Sequence, residues 1–182
     1  MDIYQQELTS TVCALLCAGI GSVHDVRERR IPNRLCGVSI VSGLALHAVF
    51  AGWSGLGSSL VAGLLAGAIS LVFWIAGGMG AGDVKLLAAI GCLTGFPPLS
   101  MVLIATAVAG GLFAIALSIY HGRFRETLRN VSVLVAHHQH EGLTPHPELN
   151  VTGARSLCMP FALPIAAGCL VTLCTLAWGT RS

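Results

Sequence analysis

Six apolar segments, about residues 8–23, 35–53, 57–76, 84–96, 99–120 and 156–178, fill most of this chain, and its charges fall largely between them. A run of ~20 apolar residues is what an α-helix needs to cross the ~30 Å hydrocarbon core of a bilayer. Inside lipid every backbone N–H and C=O must find its partner within the segment, which for such runs means a helix. The sequence therefore predicts an all-α, polytopic membrane protein with about six transmembrane helices. Composition agrees, with 54% hydrophobic and 10% charged residues, where soluble domains carry about 25% charged. Residues 1–182 are expected to form a single membrane domain, with no room for a separate soluble one.

The fourth segment is the short one, about 20 Å of helix at 1.5 Å per residue. Pro97 and Pro98 read as a helix stop after it, so segments four and five are expected as two spans joined by a tight turn. Charge placement supports that count. Nine of the ten Lys and Arg residues lie in three places: Arg27, Arg29, Arg30 and Arg34; Lys85; and Arg123, Arg125, Arg129 and Arg155. Six crossings put all three on one side, which the positive-inside rule makes cytoplasmic. Both termini, with Asp2 and Ser182, are then expected outside the cytoplasm. Residues 1–23 lack the basic start of a signal peptide and read as an uncleaved first span.

Glycines recur at four-residue spacing, as Gly63/Gly67, Gly78/Gly82 and Gly91/Gly95, a spacing that lets helix backbones approach closely in lipid. The seven cysteines, Cys13, Cys17, Cys36, Cys92, Cys158, Cys169 and Cys174, form no CxxC pair, and are read as small packing residues. Residues 121–155 make the one sizeable polar stretch and are expected to be a cytoplasmic loop. Within it Phe124, Leu128, Val131 and Val135 fall near helical spacing, as in an amphipathic helix lying on an anionic lipid surface. Pro145 and Pro147 make the return to the last span irregular. His137, His138, His140 and His146 are read as a solvated loop, without a metal.

Asp83 and Lys85 break into the apolar run from Gly77 to Leu87. An ionisable group at membrane depth costs roughly 2.5–3.5 kcal/mol on insertion scales, so it marks a functional position by default. Gly77, Gly78, Gly80 and Gly82 each lower helix propensity by about 1 kcal/mol relative to Ala. They predict irregular, water-reachable backbone beside the acid. Asp25 ends the first span as Asp83 begins the fourth, so six crossings bring both carboxylates to one membrane face. Glu28 lies three residues beyond Asp25 and is a rival for that role. Two carboxylates sharing a site divide one proton between them, which is what activating water against an amide carbonyl requires.

Gly80-Ala81-Gly82-Asp83 followed by Val84-Lys85-Leu86 resembles the GxGD signature of the type IV prepilin peptidases, and Asp25, Arg27, Arg29, Ile31, Pro32 and Asn33 resemble that family's D-x-R-x-R-x-I-P-N motif. The resemblance covers about residues 8–97, and the segment MPFALPIAAG from Met159 is similar to the family's final helix. It implies an intramembrane aspartic endopeptidase with Asp25 and Asp83 as the catalytic pair, supported by Gly80, Gly82 and Lys85. It further implies cleavage of a basic leader on a prepilin or pseudopilin at the cytoplasmic face of the inner membrane, near pilus or secretion machinery, with no cofactor and no nucleic acid. Nothing in the sequence matches the zinc-pair insert of the larger, methylating members; the size is similar to that of the short Flp/Tad-type peptidases and also of archaeal preflagellin peptidases. A proton-coupled transporter and a non-enzymatic assembly factor are the alternatives. A transporter would call for acids near mid-membrane on several helices.

Overall fold

The computed structural model describes residues 3–142 and 160–179. Asp2, Pro145, His146, Pro147, Arg155, Cys158, Met159 and Ser182 lie outside the described residues, as do the side chains of Val135, His138 and His140. Among the described residues every regular element is a helix: α1 (Ile3–Glu28), α2 (Asn33–Ile75), α3 (Ala81–Thr94), α4 (Phe96–Tyr120), α5 (Phe124–Glu141) and α6 (Ala162–Gly179). Four of them, α1, α2, α4 and α6, are long and apolar enough to cross a membrane.

The second and third apolar segments are not separated where the sequence suggests. They run as one 43-residue helical stretch broken at Gly52, whose φ of 60° and ψ of −145° leave the helical region. A residue without Cβ takes that conformation readily. Gly43 before the break and Gly63 after it both lie against Cys92 of α3. The chain must therefore reverse at Gly52, and α2 is two arms that embrace α3 between them.

That embrace depends on missing side chains. A Cβ on Gly43 would stand 2.5 Å from the Cys92 carbonyl oxygen, and one on Gly91 would stand 2.7 Å from that of Ala62. Gly63 and Gly67 also face α3, at Cys92 and Ala88. Two of the three glycine pairs thus mark close helix contacts in part, while Gly78 sits in the turn before α3. Ser59 Oγ adds an interhelical bond, donating to the Cys92 carbonyl at 2.6 Å.

Helix α3 is 14 residues long, roughly 21 Å at the helical rise, and its inward face is completely covered at Leu86, Ala89 and Ile90. The turn out of α3 is made by Gly95, with φ of 71°, and Pro97 and Pro98 do not stop a helix: they belong to the first turn of α4. Proline is tolerated there because the first-turn N–H groups have no intrahelical acceptor. Gly95 passes over the buried ring of His47, whose Nε2 lies 3.0 Å from the Leu93 carbonyl and whose Nδ1 lies 3.0 Å from Gln6 Nε2.

The interior is built from small residues, with Ala14, Ala18, Ala62, Ala66 and Ala162 fully buried. Outside, Leu16, Val41, Leu64, Ile104 and Leu112 are each more than 60% exposed. An apolar surface of that extent fits lipid rather than water. Cys17, Cys36, Cys92 and Cys169 are buried, as packing residues should be, whereas Cys174 is exposed. The amphipathic helix expected after Phe124 is present as α5, with Phe124, Leu128 and Val131 exposed along it.

Candidate active site

Helix α1 does not stop at residue 23. It continues through Asp25 to Glu28, so the acid is held by a regular helix rather than by a loop. The helix ends where Arg29 takes a left-handed φ of 51°, its N–H donating to the Asp25 carbonyl at 2.9 Å. Pro32 then caps α2 in an extended conformation, and its carbonyl accepts from the N–H groups of Leu35 and Cys36. The reversal from α1 into α2 is complete within a few residues, so Asp25 and Asn33 stay at the same end of the bundle.

Asp83 lies in the first turn of α3, with Gly80 as the residue before the helix. Its carboxylate stands close enough to the Gly80 backbone N–H to feel it, in the manner of an acid at the third helical position that reaches back towards the N-cap. A Cβ on Gly80 would stand 3.0 Å from Asp83 Oδ2, so any side chain there presses on the carboxylate. The second motif glycine has a different setting. Gly82 is helical, and a Cβ there would make ordinary 3.5 Å contact with Ile31. The irregular backbone is confined to residues 76–80, a narrower stretch than the glycine spacing suggests.

The two aspartate motifs are bound to each other. Ile31 packs over Gly82, and Lys85 Nζ donates to Asn33 Oδ1 at 2.9 Å. Asp25 and Asp83 line one cavity of about 780 Å³ and are close enough to act on each other electrostatically. Asp83 is 9% exposed; Asp25 is half-buried, within electrostatic reach of Arg29. Glu28 is exposed and does not line the cavity.

Helix α6 contributes what the two motifs do not. The Ala162 backbone N–H faces the Asp25 carboxylate and acts on it, and Pro160 and Phe161, just before the helix, form part of the wall. Gly110 and Ala114 of α4 form another part. Gly110 and Ala114 precede the end of α4 by ten and six residues, so the α4 wall of the cavity lies roughly 9–15 Å below that end. The segment from Met159 that holds Pro160, Phe161 and Ala162 stands out in the sequence as similar to the family's final helix, but sequence reasoning did not place these residues, or Gly110 and Ala114, at the site.

Each carboxylate thus sits at a helix N-terminus, Asp83 at that of α3 and Asp25 at that of α6, where free N–H groups favour negative charge. Among the described residues, Asp25 Oδ2 and Asp83 Oδ1 are buried without a hydrogen-bond partner. Buried carboxylate oxygens are normally satisfied, so this pair presents two unused acceptors in one cavity. Such an arrangement can bind a water or a substrate polar group and exchange protons with it. Among the described residues no three His, Cys, Asp or Glu side chains gather as a metal-binding group.

The family model for type IV leader peptidases matches residues 11–115, more than half of the chain and inclusive of both aspartates. No curated protein matches the chain, and no solved structure does. With an all-helical apolar fold and both motifs at one cavity, the chain belongs to the type IV leader peptidase family.

Proposed function

We propose that this peptidase is an intramembrane aspartic endopeptidase that removes the short basic leader of prepilin-like or pseudopilin substrates. Cleavage takes place at the cytoplasmic face of the inner membrane, and both termini lie outside the cytoplasm. The observation that carries the reading is the pair of unpartnered carboxylate oxygens, Asp25 Oδ2 and Asp83 Oδ1, at one cavity. Family membership supports it further.

Two carboxylates in one site do not both ionise readily, so the pair holds one proton between them. The ionised member takes a proton from water as the water oxygen attacks the scissile amide carbonyl. The protonated member gives its proton to the carbonyl oxygen, forming a neutral diol. The diol then returns one hydroxyl proton to the second carboxylate, the first gives its proton to the amide nitrogen, and the C–N bond breaks. One water is consumed, and the pair ends with the single proton it began with.

A co-expressed prepilin with a basic leader provides the assay, read as a size shift on a gel. Asp25→Asn and Asp83→Asn are each expected to abolish the shift while the protein still inserts. An amide keeps the size of the acid but cannot take a proton from water. The double variant should lose little more, because groups acting as a unit are non-additive. Glu28→Gln should process normally. Full processing by Asp83→Asn would end the aspartic reading, and loss with Glu28→Gln but not Asp25→Asn would move the second carboxylate to Glu28.

A further inference from the structure

We infer that Ser22 is a positioning residue for Asp25, acting through the first residue of α6; the inference rests on the aspartic reading above. Ser22 and Asp25 are three residues apart in α1 and so share one helix face. From that face they take hold of a single residue opposite. Ser22 Oγ donates to the Ala162 carbonyl at 2.8 Å, sharing its proton with the Ala18 carbonyl at 2.8 Å. The Ala162 N–H faces the Asp25 carboxylate and acts on it. Both backbone polar groups of Ala162 are therefore turned towards α1.

The geometry suits this use. Ala162 opens α6, and the N–H groups of a first helical turn have no intrahelical acceptor, so this one is free for Asp25. A carbonyl has two lone pairs, so that of Ala162 can serve both α6 and Ser22. Ser22 is 5% exposed and Ala162 fully buried, which keeps water from competing for these bonds. Without the hydroxyl, this end of α6 loses its hydrogen bond to α1. Any slide of α6 along α1 then moves the Ala162 N–H relative to the Asp25 carboxylate.

A donor to the charged form of a carboxylate favours ionisation, so the seating of Ala162 controls how readily the pair gives up its first proton. The other charges facing Asp25 come from elsewhere: Asp83 and Lys85 of α3, and Arg29 and Arg30 of the α1–α2 turn. From α4 the cavity wall receives Gly110 and Ala114, and from the α6 end Pro160 and Phe161, none of them titratable. Removing the Ser22 hydroxyl leaves all of these charges in place.

The test uses the purified full chain in detergent and a prepilin-like polypeptide with a basic leader and an apolar helix. Ser22→Ala is expected to lower kcat about tenfold with KM unchanged, the scale of one lost buried hydrogen bond. The acid limb of its pH–rate profile should move about one unit towards higher pH. Ser22→Thr, which keeps the hydroxyl, should return both. Ser39→Ala is the control, because Ser39 is equally buried but its hydroxyl bonds to Cys17 Sγ at 3.0 Å; its acid limb should stay in place. Should Ser22→Ala fail to accumulate, Ser22→Cys, a weaker donor of similar size, takes its place with the same expected shift. An unmoved acid limb, an equal shift in Ser39→Ala, or no recovery with Thr would overturn the inference. Unchanged cleavage by Asp25→Asn would instead remove the aspartic reading beneath it.

Discussion

Lys85 Nζ donates a 2.9 Å hydrogen bond to Asn33 Oδ1, and through it the first turn of α3 is tied to the first turn of α2. The bond joins the last residue of one aspartate motif to the basic residue of the other. It is exposed, so it is worth about 1 kcal/mol and not more. Lys85→Met and Asn33→Ala are each expected to slow processing several-fold, far short of the loss from either Asp→Asn change. The double variant should match the worse single one, since either change removes the same bond. Rates for the four proteins in one cleavage assay measure this directly, and additive losses would show that the two side chains act separately.

The two motif glycines should differ sharply. At Gly80 a methyl group would stand 3.0 Å from Asp83 Oδ2, while at Gly82 it would meet Ile31 at an ordinary 3.5 Å. Gly80→Ala is therefore expected to reduce cleavage about tenfold or more by displacing the carboxylate. Gly82→Ala should remain within about threefold of the parent and gain slightly in helix propensity. Equal effects on the gel assay would mean that the second glycine has a role beyond this packing.

Glycines in the helix core separate in the same way. Gly91→Ala would bring a methyl group to 2.7 Å from the Ala62 carbonyl oxygen, whereas at Gly19 there is nothing within 4 Å. The first substitution should destabilise by about 1–3 kcal/mol, the usual result of overpacking. The second should be neutral or stabilising by up to about 1 kcal/mol. Thermal unfolding in detergent, followed by helical circular dichroism, ranks the two.

Topology has its own test. Arg30 lies at the cavity end of the bundle, Arg125 at the start of α5, and Trp53 beside the reversal at Gly52. In a cysteine-free background, cysteines at positions 30 and 125 should label with a membrane-impermeant reagent from the cytoplasmic side only, and one at position 53 from the other. Labelling of positions 30 and 125 from opposite sides would break the six-crossing arrangement.

Much of this architecture follows from local pattern. Long apolar runs leave helices as the solution in lipid, and the all-helical fold agrees. Boundaries were harder to read, for identifiable reasons. Asp25 belongs to α1 because a polar residue can extend a helix past its apolar part, and hydropathy ends where apolarity does. Pro97 and Pro98 have one meaning inside a helix and the opposite one in its first turn. Gly52 is one glycine among 22, and only its positive φ distinguishes it as the point of reversal.

By itself the sequence determined the class of structure, the two acid-bearing motifs and their order along the chain. These depend on residue type and on neighbours a few positions away. What only the tertiary structure decided is which groups complete the cavity. The Ala162 N–H is more than a hundred residues from Asp25, and a backbone donor leaves no trace in residue identity. The choice of Asp25 over Glu28 as the acid lining the cavity is of the same kind: both are carboxylates on one helix, and the packing of α3 and α6 against α1 leaves Glu28 exposed while covering Asp25.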